Sequence, residues 1–231
     1  MKMTKRIKNR LKNIINEVLD QPKNVKEVML RSAFIRTVSS KIKGEYFEFG
    51  VYRGRSFTAA YKLGQKHGLH DMKYYAFDSF EGLPEPTEIE GNEKFRKAQY
   101  ACSEEDFKNI LKKSKINMHQ VQCIKGFYDK SLTKELQFSL LPKKASIVWI
   151  DCDLYESTVP VLDFIIPFLQ NGTVLCFDDW FSYAGHQQKG EIRATNEWLQ
   201  DNPNIKLIDY KTFGNTGKSF LVYLEEENKS I

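Results

Sequence analysis

The sequence predicts an α/β fold, Rossmann-like, with a seven-stranded, mostly parallel sheet, an antiparallel last strand and helices on both faces. Three observations carry this. Short apolar runs recur at 45–50, 74–78, 120–125, 146–151, 173–178, 205–210 and 219–224. Helix-like segments separate most of them, the alternation that builds strand–helix–strand crossovers and a parallel sheet. The last two runs, "IKLIDY" and "KSFLVYL", are joined by the glycine-containing "KTFGNTG" with no helix between, which predicts an antiparallel hairpin at one edge.

Taken in order, residues 4–19 place Ile7, Leu11, Ile14, Ile15, Val18 and Leu19 at helical spacing opposite a basic face, and Pro22 ends the run. This predicts a helix packed on the body or on a partner subunit; a helix on a membrane surface or an anionic partner is the alternative. A second helical stretch spans roughly 25–40, so 1–43 reads as an N-terminal helical extension and 44–231 as the main domain. Within that domain, helices are expected at 55–67, 103–114, 131–137, 157–170 and 188–201. Residues 84–101, with Pro84, Pro86, Gly91 and mixed charge, have no period, and a long loop of that kind serves more often as a lid or binding loop than as filler.

A chain of 231 residues suits one α/β domain with additions. The formal net charge is +5, but Lys2, Lys5, Arg6, Lys8, Arg10 and Lys12 supply six positives with no acid beside them, leaving the rest at −1. A near-neutral body argues against a broad nucleic-acid-binding surface. The four cysteines, Cys102, Cys123, Cys152 and Cys176, form no C-x-x-C pair, which fits a reduced, cytoplasmic protein. No segment approaches a membrane span, and the charged N-terminus lacks the apolar run of a secretory signal.

Ligands of an open parallel sheet bind outside the carboxyl ends of its strands. Four of those ends are acidic here: Glu48 before the turn "GVYRG", Asp78 in "DSF", Asp151 and Asp153 in "DCD", and Asp178 and Asp179 in "DDW". One such acid is commonly a helix cap, whereas four on one rim repel one another unless cations compensate them. The turn rejects a dinucleotide fingerprint. The second glycine of G-x-G-x-x-G is Tyr52 here, which would crowd a pyrophosphate, and Glu48 would add negative charge. A ligand with a positive group, held near bare backbone at Gly50, suits the turn better. A carboxylate after the second strand suits a ribose diol. A cationic amino acid joined to a ribose points to S-adenosylmethionine (SAM).

These blocks are also recognisable. "FEFGVYRGRS" resembles motif I of class I SAM-dependent methyltransferases. "YAFDSFEGLPEP", "IKGFYDKSL", "VWIDCDLYEST" and "GTVLCFDDW", in that order, resemble the macrocin O-methyltransferase family, which methylates sugar hydroxyls of natural products. The resemblance covers about residues 44–225. It implies SAM as donor and a divalent cation, usually Mg²⁺. By motif match, Glu48, Gly50, Tyr52, Gly54 and Ser56 line the methionine end of the donor. Asp78, Ser79 and Phe80 hold the ribose and adenine side, and Gly126 and Phe127 lie near adenine. Asp151, Asp178 and Asp179 are the implied metal ligands, Asp151 also facing the donor, and Asp153 is a further ligand or base.

The chemistry needs such parts. All-oxygen ligands favour Mg²⁺, Mn²⁺ or Ca²⁺ over zinc. A cation on an acceptor hydroxyl lowers its pKa and fixes its angle, and a base is useful for an aliphatic alcohol. His186, seven residues after Asp179, and Asp153 compete for that role. His67 and His70 read as a helix end and loop. Arg53 and Arg55 are candidates to meet an anionic acceptor, and Trp180, Phe181 and Tyr183 to form an apolar acceptor wall. The expected activity is metal-dependent O-methylation of a small-molecule hydroxyl, on a sugar or glycosylated metabolite, by a homo-oligomer. Methylation of a phenolic acceptor and a SAM-binding partner protein without turnover remain the alternatives.

Overall fold

The computed structural model describes residues 24–86 and 95–225; the helix expected at 4–19 and the middle of the expected loop lie outside them. The first described element is helix α1 (Val25–Ser39), capped by Asn24, whose side chain accepts the Glu27 N–H at 3.0 Å. Then follow β1 (Glu45–Phe49), α2 (Arg55–Lys66), β2 (Tyr74–Asp78), α3 (Glu104–Lys113), β3 (Val121–Lys125), α4 (Tyr128–Ser131) and α5 (Lys134–Leu140). The chain closes with β4 (Ala145–Ile150), α6 (Tyr155–Ile165), β5 (Val174–Phe177), α7 (Gly190–Asp201), β6 (Ile205–Phe213) and β7 (Gly217–Leu224).

The seven strands form one sheet in the order β3-β2-β1-β4-β5-β7-β6. Strands β1 to β5 pair in parallel, and β7 inserts antiparallel between β5 and β6. The hairpin expected at the edge is therefore present, with β6 outermost. The order of the strands reverses at β1, flanked by β2 on one side and β4 on the other. That reversal opens a crevice outside the carboxyl ends of β1 and β4.

Side-chain alternation along each strand divides the core in two. Phe47, Phe49, Phe77, Ile150 and Phe177 face one side and pack under α6 and α7. Tyr46, Tyr74, Ile147, Trp149 and Cys176 face the other, with residues of α1, α2 and α3. Met29, Leu30, Ala33 and Phe34 of α1 are buried in this second layer, so α1 shares the core of the sheet rather than standing outside it. The helix expected at 131–137 is two helices, because Thr133 interrupts one and caps the next, accepting the Leu136 N–H. The helix expected at 157–170 stops at Ile165, and Pro167 sits in a single tighter turn.

Gly50 shows how closely the crevice walls approach. Its φ is +86°, and a Cβ there would sit 1.9 Å from the Asp151 carbonyl oxygen. The Gly50 N–H donates to Phe77 O, and the Asp151 N–H to Phe49 O. A side chain at Gly50 would wedge β1 from β4. Gly68 also has positive φ (+78°), but nothing lies within 4 Å of its Cβ position. Gly50→Ala is therefore expected to cost roughly 3 kcal/mol or more and Gly68→Ala about 1 kcal/mol. Thermal melts of both variants check this, and equal losses would contradict the close-approach account.

Candidate functional site

A cleft of about 1010 Å³ opens at the carboxyl ends of β1, β2, β4 and β5. It is lined by the turn after β1, by Asp78 and Ser79 after β2, by Gly126 and Phe127 after β3, by Asp151 and Asp153 after β4, and by Asp178 and Asp179 after β5. The acids expected on one rim do share one cleft, because each ends a strand of the same parallel set.

The turn after β1 is shaped by a carboxylate on the next strand. Asp78 Oδ2 accepts the N–H groups of Val51 (2.8 Å) and Tyr52 (3.1 Å), while Oδ1 accepts that of Phe80 (2.7 Å). Burial raises the Asp78 carboxyl, and these three donors pull it back. Three non-glycine residues that follow strand ends have left-handed φ: Tyr52 (+43°), Phe80 (+58°) and Asp153 (+61°). Such residues carry strain of order 1–3 kcal/mol each and cluster where geometry serves a ligand.

Glu48 is fully buried on the aromatic face of β1. It accepts the Tyr46 hydroxyl (2.5 Å) and the Ser56 hydroxyl (2.5 Å). Ser56 lines the cleft; Glu48, Gly54 and Phe80 lie behind its wall. The Phe107 ring leaves no room for a side chain at Gly54, lying 2.8 Å from where its Cβ would be. Burial pushes Glu48 up to about 8, Asp151 adds to this, and the two hydroxyls and Lys26 oppose it.

Around Asp151 the acids become dense. One oxygen each from Asp151, Asp153 and Asp179 lies within 4.8 Å of the others. Asp178 turns aside from this trio, and the ammonium of Lys26 bridges it to Asp151, 2.6 Å from Asp178 Oδ2 and 2.7 Å from Asp151 Oδ2. Burial opposes the charge on Lys26, but the two carboxylates outweigh it and raise its pKa. Burial first, then Asp179, Asp151 and Asp178, drives the Asp153 carboxyl well above the usual carboxylate range. Burial and Asp151 raise Asp178, and Lys26 pulls it back. Converging carboxylate oxygens of this kind fit a hard divalent cation.

Glu191, in the first turn of α7, lies beneath the rim. It is fully buried and accepts the Asp179 N–H at 3.0 Å through Oε2. Burial and the four nearby aspartates push its carboxyl well up. Neither Lys26 nor Glu191 stands out in the sequence: each reads as an ordinary charge in the first turn of a helix.

Other expected residues lie elsewhere. His186 is exposed and away from the cleft, its Nδ1 accepting the Gln188 N–H at 3.1 Å. The loop after Trp180 carries it outward. Among the described residues, Trp180, Phe181 and Tyr183 do not line the cleft; Trp180 packs on Phe177 and Phe220, whose ring centroids lie 5.0 and 4.9 Å away. Tyr52, Tyr100, Phe127 and Tyr128 supply its aromatic surface instead. Tyr52 meets Tyr100 edge-on at 5.8 Å, under the Arg53 guanidinium. Arg55 lines the cleft wall.

The family model described as Macrocin-O-methyltransferase (TylF) matches residues 25–211. The chain belongs to the macrocin O-methyltransferase family. Within curated proteins it is similar to the demethyldecarbamoylnovobiocin O-methyltransferase of Streptomyces niveus, 25% identical over 178 residues, 71% of this chain and 66% of that one. It is also similar to the 8-demethyl-8-(2,3-dimethoxy-alpha-L-rhamnosyl)-tetracenomycin-C 4'-O-methyltransferase of Streptomyces olivaceus, 25% identical over 145 residues, 60% of this chain and 54% of that one. The chain thus spans less than two thirds of the length of these relatives. Among solved structures, the O-methyltransferase NovP superposes with a TM-score of 0.68 at 21% identity, covering 84% of this chain and 78% of its own. The calicheamicin methyltransferase CalS11 does so with a TM-score of 0.66 at 14% identity, covering 96% and 94%. Both share the fold of this family member. No helix among the described residues is long and apolar enough to cross a membrane.

The buried Glu48 predicts a pH dependence. Its folded pKa of about 8 lies above the usual 4.5, so the folded state keeps a proton that the unfolded chain releases. The stability this proton contributes is fully present below about pH 4.5 and is lost as pH rises through about 8, at up to ~1.4 kcal/mol per pH unit. Glu48→Gln removes that titration. Its melting temperature is expected to fall less steeply than the wild type's between about pH 5 and pH 8; parallel curves would contradict the assignment.

Proposed function

We propose that the protein transfers a methyl group from SAM to a hydroxyl of a sugar or glycosylated small molecule, assisted by a divalent cation, Mg²⁺ or a similar hard ion. One observation carries this reading: the motif turn, Asp78 and the aspartate rim open into a single cleft of about 1010 Å³, roomy beside the 300–1,000 Å³ of ordinary ligand pockets. Membership of the macrocin O-methyltransferase family supports the reaction class. The Streptomyces olivaceus relative, whose name specifies a rhamnosyl acceptor, supports the acceptor class.

In this reading the methionine end of the donor lies along Gly50, Tyr52 and Ser56. Glu48 acts through Ser56, holding that hydroxyl in place from behind the wall. Asp78 has spent three acceptor positions on backbone donors, so it fixes the turn and keeps limited capacity for a ribose hydroxyl. Gly126 and Phe127 border the adenine end. Asp151, Asp178 and Asp179 would hold the cation, which lowers the pKa of a bound hydroxyl and fixes its direction.

Asp153 is the base. It lines the cleft beside Asp151 and Asp179, and its burial and neighbours raise its proton affinity. The acceptor oxygen forms a bond to the methyl carbon, the carbon–sulfur bond breaks, and the acceptor's proton passes to Asp153. The products are a methyl ether and S-adenosylhomocysteine, and the sulfonium charge is lost with the transferred methyl. His186, exposed and away from the cleft, takes no part.

Mass spectrometry of S-adenosylhomocysteine formed over a panel of glycosylated acceptors tests the activity. Asp153→Asn is expected to lower kcat by ~10²–10⁴-fold, with SAM affinity by calorimetry within about three-fold of wild type and His186→Ala close to wild type in rate. Chelation should remove turnover and Mg²⁺ restore it. A well-folded protein that binds no SAM would overturn the proposal.

A further inference from the structure

The Lys26 ammonium sits on two of the aspartates proposed to hold the cation. It stands 2.7 Å from Asp151 Oδ2 and 2.6 Å from Asp178 Oδ2. These are charge-assisted contacts at the short end of their range, made in a partly desolvated place. A divalent ion held by the same two carboxylates would stand close to the ammonium, and the like charges would repel each other.

Lys26 is not placed there by chance packing of a loose side chain. It belongs to the first turn of α1, whose N-cap is fixed by the Asn24 side chain and whose next residues, Met29 and Leu30, are anchored in the core. Asn24, Val25 and Lys26 together line the cleft. The helix start thus presents one positive charge to the acid rim from a rigid base. Arg53, Arg55, Lys97 and Lys130 also line the cleft, and Lys26 pairs with both Asp151 and Asp178.

We propose that Lys26 is a resident counter-cation that competes with the divalent ion for Asp151 and Asp178, so that metal loading requires its ammonium to withdraw from the rim. This rests on the metal reading of the preceding subsection. Without metal, Lys26 neutralises part of the carboxylate repulsion and keeps the cleft folded. With metal, Asp178 is freed to join Asp151 and Asp179, and Lys26 moves away at the cleft mouth. Metal occupancy and the position of the Lys26 ammonium are then one equilibrium.

The test uses the full chain and Mn²⁺ alone, followed by electron paramagnetic resonance. Lys26→Met is expected to bind Mn²⁺ at least ~10-fold more tightly than wild type, while Lys26→Arg, which keeps the charge, stays within about three-fold. A second measurement needs no variant. Acetylation of Lys26 in the wild type, read by peptide mass spectrometry, should be slow without metal and faster with saturating Mn²⁺ at fixed pH. Equal or weaker Mn²⁺ binding by a natively folded Lys26→Met, or Lys26 labelling unchanged or slowed by Mn²⁺, would overturn the competition. If Mn²⁺ binds neither wild type nor Lys26→Met, both the competition and the metal reading fail, whereas equal binding by the two defeats the competition alone. SAM calorimetry reports on the donor site independently of either result.

Discussion

Carboxylates gathered at one edge of a sheet repel each other, and much of this structure answers that repulsion. Two negative charges at the 4.8 Å limit that encloses the Asp151, Asp153 and Asp179 oxygens oppose one another by about 3–4 kcal/mol at an effective dielectric near 20. Three devices offset the cost. An ammonium, Lys26, is brought in from α1. A proton is held more tightly beneath the rim, as burial and the nearby aspartates raise Glu191 well above ordinary carboxylates. Backbone N–H groups are turned toward the acids, three at Asp78 and one at Glu191. A fold that served only its own stability would have little reason to assemble such an edge. Buried charge without a task is costly to keep, and the natural explanation is a ligand with positive charge.

The sheet makes the assembly possible. Parallel pairing of β2, β1, β4 and β5 brings four carboxyl ends to one side, and the reversal at β1 opens room between them. Both faces of the sheet are filled with aromatic and branched side chains, so the strands carry the acids on a rigid platform. The turn after β1 depends on Asp78, which ties it to β2 by two backbone hydrogen bonds. Donor turn and acid rim are therefore mechanically one object, as required when donor and acceptor must be held in line.

The sheet was legible because its strands are short apolar runs ending in acids, a signal that needs only neighbouring residues. The hairpin of β6 and β7 was legible for the same reason, from glycines between two alternating runs. What escaped depends on distance in sequence. Lys26 meets Asp151 across 125 residues, and nothing in "NVKEVM" distinguishes a rim-facing lysine from a solvated one. Glu191 looked like a helix-start acid, a role it does fill, but its burial under Asp179 comes from the docking of α7. Adjacency to Asp179 makes Trp180, Phe181 and Tyr183 candidates for the acceptor wall, whereas β7, inserting beside β5, packs Trp180 through Phe220. The same adjacency makes His186 a candidate base beside Asp153, and His186 does not line the cleft.

The central claim is that one cleft holds a sulfonium donor and a divalent ion side by side. Nuclear magnetic resonance of SAM carrying carbon-13 in its transferable methyl group tests this most directly, with the protein first saturated with Mg²⁺ and then with paramagnetic Mn²⁺. The account predicts strong broadening of the bound methyl resonance by Mn²⁺ and none by Mg²⁺. A methyl resonance that stays sharp while both SAM and Mn²⁺ are shown to be bound would place the two ligands far apart and contradict it.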